Sequence, residues 1–190
     1  HDALPIYTYE FYLESDARSV VDKFIENYNS KITDEMKQRA KTLGYTMDQM
    51  MALASVIQKE CDADIDECAN VSSVFHNRLK DPASFPKLES DVTTFYVSQN
   101  LKDVIGYQDG VALKNQNDEV KKYMELYSTY YREGLPVGPI CNPGLKAINA
   151  ALHPADTNYV FFLTDKSGEH FYYASTIAEH NANGVKAGLF

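Results

Sequence analysis

Glu60 is the residue of this sequence whose type and position point most directly to chemistry. It lies at the edge of the apolar face of a predicted amphipathic helix, for which Thr46 and Gln49 predict a capping box. The apolar residues of that face recur at helical spacing: Met50, Leu53, Ala54, Ile57 and Cys61. A carboxylate on such a face is costly to ionise unless it is paired. Glu60 therefore has the expected environment of a general acid.

The helical pattern leaves a second role open for Glu60. A buried glutamate of this kind also serves as a structural partner in an ion pair, and Arg78 is the competing explanation for its position. Asp91, in a segment predicted to be irregular over residues 85–93, is a conceivable second carboxylate. The residues alone thus point to carboxylate chemistry without separating these roles.

Other kinds of chemistry find little support in the residue pattern. No nucleophile elbow, phosphate-binding glycine loop or zinc-binding HExxH motif occurs. The five histidines form no recognisable ligand pair, so neither a metal site nor a cofactor is predicted: His1, His76, His153, His170 and His180. The acidic run at 62–67 is more typical of a helix start capped by Asp64 than of a calcium loop, because it lacks the EF-hand glycine. A net charge of −9 without a basic block argues against binding of nucleic acid.

Three cysteines are present, at positions 61, 68 and 141, and no CxxC spacing occurs. On one continuous helix Cys61 and Cys68 would lie about 10 Å apart, too far for a disulfide. We therefore expect structural, free cysteines, although a helix break between Asp62 and Asp66 would make that disulfide possible.

The 190 residues are enough for one domain with a real core, and 44% of them are hydrophobic. Helical patterns dominate, and two predicted strands at 159–164 and 170–174 flank a turn at 165–168. The expected class is α+β: a mainly helical domain with a C-terminal β-hairpin and small sheet. Residues 95–125 read as an insertion or surface excursion and not as a second domain, and Asn142 followed by Pro143 predicts a helix N-cap. No apolar run is long enough to span a membrane.

An ordered set of motifs resembles the YceG-like family of endolytic murein transglycosylases over nearly the whole chain. The matching stretches are Leu53-Ala54-Ser55-Val56-Ile57-Gln58-Lys59-Glu60, Val74-Phe75-His76-Asn77-Arg78-Leu79, Leu88-Glu89-Ser90-Asp91-Val92-Thr93, Tyr127-Ser128-Thr129-Tyr130, Gly134-Leu135-Pro136 through Asn142-Pro143-Gly144, His153-Pro154-Ala155, the strand at 159–162, His170-Phe171 and His180-Asn181. Gln58 stands where the family usually has the first glutamate of its E-K-E helix, so the resemblance leaves Glu60 as the acid. Glu89 and Val92 stand where the family has Gln and Pro.

The resemblance implies a lyase that cleaves the β-1,4 bond between N-acetylmuramic acid and N-acetylglucosamine in peptidoglycan. Glu60 would act alone as general acid and base, leaving a 1,6-anhydro end, with no metal or cofactor. Residues expected to bind the glycan or orient Glu60 are Gln58, Asn77, Arg78, Asp91, Thr93, Tyr130 and Asn142. Two alternatives stay open: a muramidase that uses Glu60 and Asp91 to activate water, and a non-catalytic glycan-binding or scaffold module.

The resemblance also implies a location and partners. The family's membrane helix and small LysM-like region would precede His1, so we expect a fragment covering the catalytic domain at residues 1–190. This domain would face the cell wall on the outer side of the bacterial cell membrane. Its expected partners are peptidoglycan strands and cell-wall synthesis proteins, and its only contact with the membrane would be through that absent helix.

Overall fold

The computed structural model describes residues 10–189 of the chain. Its α-helices and strands are α1 (Ala17–Lys31), α2 (Asp34–Thr42), α3 (Met47–Glu60), α4 (Ile65–Lys80), α5 (Asp91–Phe95), α6 (Lys102–Ile105), α7 (Asp118–Tyr127), α8 (Leu145–Leu152), β1 (Phe161–Thr164), β2 (Phe171–Ala174) and α9 (Ile177–Lys186). A π-helix at Tyr96–Asn100 continues α5, and a 3₁₀ turn spans Leu113–Asn115. Helices joined to a small C-terminal sheet confirm the predicted α+β class.

The central helix of the fold is α3. Its predicted capping box is confirmed, because the Thr46 side chain accepts from Gln49 N and the Gln49 side chain accepts from Thr46 N. Every residue from Met50 to Ile57 is buried, and α8 is the main helix that packs against α3, with smaller contacts from α2, α4 and α5. A helix buried on most of its circumference is held rigidly, so the side chain at its last residue has a fixed origin.

The two strands form the predicted antiparallel hairpin. Phe161 pairs with Ala174 and Thr164 pairs with Phe171, with the turn at 165–168 between the strands. Gly168 has a φ of +75°, which glycine adopts without strain, and Asp165 Oδ1 accepts hydrogen bonds from the backbone and hydroxyl of Ser167. The hairpin packs against α9 on one side and approaches α4 through β1.

Residues 95–125 are more ordered than a surface excursion. Around the π-helix, α6 and α7 they enclose a second small core of buried side chains: Val97, Ile105, Val120 and Met124. Asn117 caps α7 through Val120 N, and its amide also donates to Ile105 O. The weak sequence pattern arises because these helices are short and share few apolar positions.

Two local predictions are wrong. The helix α8 begins at Leu145 with Gly144 as its N-cap, so Asn142 lies in the preceding loop and does not cap the helix. Cys61 and Cys68 form a disulfide, because α3 ends at Glu60 and α4 starts only after Asp64, which brings their Cα atoms to 5.6 Å. The possible helix break is therefore real, and the expectation of free cysteines fails for this pair. Asp64 does cap α4, as predicted.

The length and polarity of the helices bear on membrane insertion. None of the helices within residues 10–189 combines the length and the apolar character needed to cross a bilayer.

Candidate active site

Glu60 is the last residue of α3 and is half-buried in the wall of a cleft of about 500 Å³. Its Oε1 accepts a hydrogen bond of 2.6 Å from Ser90 Oγ. Within residues 10–189, the Glu60 carboxyl group has this one hydrogen-bond partner, the Ser90 hydroxyl. One carboxyl oxygen of Glu60 is therefore held in place while Oε2 is available to a ligand.

Ser90 is positioned by a cluster of buried hydroxyls, which we call the hydroxyl cluster: Ser90, Thr93 and Thr129. Ser90 N donates to Thr129 Oγ1 at 2.9 Å, and Thr93 Oγ1 donates to Ser90 O at 2.6 Å. The hydroxyls of Thr93 and Thr129 lie 3.0 Å apart, and Thr129 N donates to Thr93 Oγ1. Each member is satisfied by the others, so the hydroxyl cluster is rigid and fixes the donor to Glu60.

The backbone just before Ser90 adopts an unusual conformation. Glu89 has a φ of +53° although it is not a glycine, and its N–H donates to Thr129 O. Left-handed backbone at a non-glycine residue is uncommon and is maintained only where the surroundings impose it. Here it turns the chain so that Ser90 faces Glu60 while Asp91 begins α5.

The pKa of Glu60 is raised above its ordinary value. Burial is the largest cause, because it disfavours the charged form, and the nearby negative charge of Asp91 acts in the same direction. The hydrogen bond from Ser90 favours the charged form and offsets part of this rise. A carboxyl group with these properties can carry a proton to a ligand and afterwards take one back.

Asp91 lines the same cleft in a different setting. It is exposed, and its Oδ1 accepts a hydrogen bond of 2.8 Å from Tyr130 Oη. Burial and the hydrogen bond to Asp91 raise the pKa of Tyr130 to about 12, so the phenol remains protonated as a donor. Tyr130 and Asp91 together form a polar rim of the cleft, each directly following a member of the hydroxyl cluster in the sequence.

Arg78 does not pair with Glu60, which removes the structural alternative for that carboxylate. Its Nε donates to Val160 O at 2.7 Å and its Nη1 donates to Leu88 O at 2.9 Å. Its ion pair is with Glu89, at 3.6 Å. The guanidinium also lies 5.3 Å from the ring centroid of Phe161. Through these contacts Arg78 connects α4, the strand β1 and the loop that carries Ser90 in one wall of the cleft.

A second cleft of about 510 Å³ meets the first at Glu60. Its wall includes Glu60 and Thr164, which both clefts share, together with Gly168 and Phe171 from the hairpin. Glu60 therefore lies where a long ligand could extend in both directions from its carboxyl group.

Comparison with known proteins identifies the family. The family model for the YceG-like family matches residues 4–186. The chain belongs to the YceG-like family. The sequence resemblance is thereby confirmed across nearly the entire chain.

Named relatives of this YceG-like chain are similar over most of its length. An endolytic murein transglycosylase of Bacillus subtilis (strain 168) is 30% identical over 171 residues, which cover 88% of this chain and 42% of the relative. An endolytic murein transglycosylase of Streptococcus pneumoniae is 26% identical over 165 residues, 87% of this chain and 27% of the relative. The chain thus spans less than half the length of these relatives.

A solved structure shares the fold. The crystal structure of a yceG-like protein from Listeria monocytogenes superposes with a TM-score of 0.67 at 26% identity, covering 93% of this chain and 51% of that one.

The structure divides the residues predicted from the YceG-like motifs into two groups. Arg78, Asp91 and Tyr130 line the cleft with Glu60, and Thr93 supports Ser90 from behind. Asn77 does not line the cleft. Its side-chain amide donates to Thr157 O and Tyr159 O, both at 2.9 Å, and so holds the segment that leads into β1.

Gln58 and Asn142 also lie away from the cleft. Gln58 Oε1 accepts from Gly144 N at 3.1 Å and holds the loop before α8. Asn142 lines a small apolar cavity beside α1. Asn77 and Gln58 thus hold backbone outside the cleft, and Asn142 lines the separate apolar cavity. That these three residues bind the glycan or orient Glu60 stays a prediction.

Sequence reasoning missed two residues of the site. Ser90 lies inside one of the motifs of the family resemblance, yet only its contacts in the folded chain show that it donates to Glu60. His180 also lines the cleft, with its ring stacked on Phe161 at 5.1 Å between centroids. The resemblance contained both residues, but nothing in their spacing indicated that they line the same cleft as Glu60.

The part of the chain that the structure describes has no cluster of side chains arranged as metal ligands. Residues 10–189 contain no group of three or more His, Cys, Asp or Glu side chains placed to hold an ion.

Proposed function

We propose that this chain is an endolytic lytic transglycosylase of peptidoglycan, a lyase that cleaves the β-1,4 bond between N-acetylmuramic acid and N-acetylglucosamine. The observation that carries the proposal is the state of Glu60. It is half-buried, one carboxyl oxygen accepts from Ser90, and the other is open where two clefts meet. The two named relatives, both endolytic murein transglycosylases, support the same activity.

The reaction needs one carboxyl group in two successive roles. Protonated Glu60 donates its proton to the glycosidic oxygen as the bond from that oxygen to the anomeric carbon breaks. The C6 hydroxyl oxygen of the same muramic acid then bonds to the anomeric carbon, and its proton passes to Glu60. The product ends in a 1,6-anhydro sugar and Glu60 is again protonated, so no second carboxylate is required.

The raised pKa of Glu60 suits this sequence of proton transfers. Burial favours the protonated form before the bond breaks, and Ser90 stabilises the carboxylate that follows. Because Ser90 binds Oε1, Oε2 is the oxygen that exchanges protons with the substrate. Asp91, Tyr130 and Arg78 bind or orient the glycan from the rim and wall of the cleft.

The openness of the site on both sides of Glu60 supports an endolytic mode. A glycan strand that continues past the cleaved bond needs space on both sides of the acid, and the clefts of about 500 and 510 Å³ meet at Glu60. A site closed at one end would favour release from strand termini.

The disulfide supports a location outside the cytoplasm. Such bonds persist in oxidising compartments, and Cys61–Cys68 joins the end of α3 to the first turn of α4. We propose that the domain faces the cell wall. Attachment to the membrane and contact with cell-wall synthesis proteins are proposed on the family resemblance alone.

Product analysis tests the proposed reaction. Purified glycan strands are incubated with the chain and with Glu60→Gln, and the new ends are identified by mass spectrometry. We expect 1,6-anhydro ends from the parent and almost none from Glu60→Gln. Reducing ends in their place would favour the muramidase alternative, and strands bound but uncut by the parent would favour the glycan-binding module.

A further inference from the structure

His180 lies on the wall of the cleft but has no part in the proton transfers of Glu60. It is in the first turn of α9 and lines the same cleft as Glu60 and Phe161. A histidine in this position could act as a base, as a ligand-binding donor or as packing. Its surroundings separate these roles.

The position of His180 is fixed from three directions. The start of α9 is held by a capping box in which Thr176 and Glu179 bond each other's backbone. Farther along the helix, Asn183 Nδ2 donates to Tyr173 O at 2.9 Å, which attaches α9 to β2. The imidazole ring stacks on Phe161 at 5.1 Å. The ring is therefore presented to the cleft in one orientation.

The hydrogen-bonding state of the imidazole follows from its two nitrogens. Nδ1 is enclosed and has no hydrogen-bond partner within residues 10–189, whereas Nε2 is not enclosed. Protonating the ring would place an unpartnered N–H at Nδ1. Burial and the positive charge of Arg78 lower the pKa of His180 in addition. The neutral ring with its proton on Nε2 is the form that fits, which makes His180 a donor to the cleft and excludes it as a base there.

An exposed apolar side chain lies next to this donor. Ile177, the first residue of α9, is three positions before His180 and so lies on the same helix face. It also lines the cleft, although 59% of its surface is exposed. A single N–H donor beside an exposed aliphatic group matches an acetamido group, which has one carbonyl acceptor and one methyl group.

We propose that Ile177 and His180 form a recognition site for the N-acetyl group of an amino sugar in the bound glycan. His180 Nε2–H donates to the acetamido carbonyl, and Ile177 contacts its methyl group. The inference rests on the proposed function, because it identifies which part of a peptidoglycan strand this wall of the cleft contacts. It makes His180 a specificity-determining residue that takes no proton in the reaction.

Binding of matched oligosaccharides tests this site independently of cleavage. The probes are chitotetraose and cellotetraose, which share the β-1,4 linkage and differ in having an acetamido group or a hydroxyl at C2. Glu60→Gln serves as the parent because it binds without turnover, and affinities are measured by calorimetry. We expect the parent to bind chitotetraose more tightly than cellotetraose.

Two substitutions in the Glu60→Gln background separate the proposed hydrogen bond of His180 from the proposed apolar contact of Ile177. His180→Phe keeps a flat ring for stacking and removes the donor, and should weaken chitotetraose binding roughly threefold to tenfold, the equivalent of one hydrogen bond. Ile177→Ser, at an exposed position, should weaken it by about threefold or more. Cellotetraose binding should change in neither variant, and His180→Gln, which keeps an N–H donor, should recover part of the loss.

The opposite outcomes would overturn the site. Equal affinity of the parent for both sugars would remove acetamido recognition altogether, and equal losses for both sugars in His180→Phe would make the ring a general sugar contact. Unchanged chitotetraose binding in both Ile177→Ser and His180→Phe would also exclude the site. The product analysis described under the proposed function uses the unsubstituted chain and does not depend on these binding measurements. Failure of the proposed reaction and failure of this site therefore give different results.

Discussion

Two carboxylates line the same cleft, and their surroundings are opposite. Glu60 is half-buried at the end of a rigid helix and accepts from a serine that the hydroxyl cluster fixes. Asp91 is exposed at the start of the short helix α5 and accepts from the exposed phenol of Tyr130. Burial thus raises the pKa of the Glu60 carboxyl group, whereas Asp91 is exposed and its hydrogen-bond partner is an exposed phenol. This contrast is the reason why we propose proton transfer for Glu60 and substrate orientation for Asp91.

The largest expected effect separates the two carboxylates directly. Glu60→Gln keeps the shape of the side chain and its acceptor for Ser90, but it carries no transferable proton, so cleavage of glycan strands should fall by at least about a hundredfold. Asp91→Asn keeps an acceptor for Tyr130 and should cost less than about tenfold. Rates are measured on the same strand preparation. Comparable losses in both variants would replace this assignment with a mechanism that uses two carboxylates.

The disulfide tests whether the Glu60 side of the cleft is the rigid one. The Cys61–Cys68 bond begins at the residue after Glu60, whereas the described structure has no such bond at the Asp91 loop. Replacing both cysteines by serine should lower the free energy of unfolding by about 2 kcal/mol, because the unfolded chain regains the freedom of a short loop. Urea unfolding measures this, with Cys141→Ser as the control that leaves the bond intact. A double variant as stable as that control would show that the bond contributes little.

Ser90→Ala should reduce activity about tenfold and move its pH dependence. Loss of the hydroxyl removes the donor that favours ionised Glu60, so the pKa of Glu60 should rise further. A general acid works only while protonated, so the decline of the rate on the alkaline side should move to higher pH. Ser73→Ala, which removes a hydroxyl bonded to Thr157 outside the cleft, is the control. A shift to lower pH would contradict the described role of Ser90.

The smallest expected effect concerns Gln58, next but one to Glu60 in the sequence. Because its Oε1 accepts from Gly144 N, Gln58→Glu should keep that bond and leave cleavage within about twofold of the parent. Gln58→Ala should lower the free energy of unfolding by about 1 kcal/mol while leaving the catalytic carboxyl in place. Thermal unfolding and strand cleavage are measured for both. Abolished cleavage in Gln58→Ala with an unchanged melting temperature would move the chemistry to position 58.

Sequence reasoning succeeds where a local pattern determines the structure. The capping box at Thr46, the cap at Asp64 and the hairpin around 165–168 all depend on neighbours in the chain, and all three are confirmed. The half-buried position of Glu60 follows from helical periodicity in the same way. Such features need only a few consecutive residues to be specified.

The remainder of the site depends on contacts between distant parts of the chain. Ser90 meets Glu60 across 30 residues, and the hydroxyl cluster links Ser90 to Thr129 across 39. The Cys61–Cys68 bond depends on where α3 ends. Asn142 is not the predicted N-cap, because α8 starts two residues beyond Pro143. No periodicity encodes these distances, so only the folded chain reveals them.

The pKa of the Glu60 carboxyl group itself tests the central claim most directly. Carbon-13 NMR of the glutamate side chains, with Glu60→Gln used to assign the resonance, follows its titration in the intact chain. A midpoint above the ordinary value of 4.5, and higher still in Ser90→Ala, is the predicted result. A midpoint at or below that value would mean that Glu60 is a solvated or paired carboxylate, and the assignment of acid catalysis to it would fail.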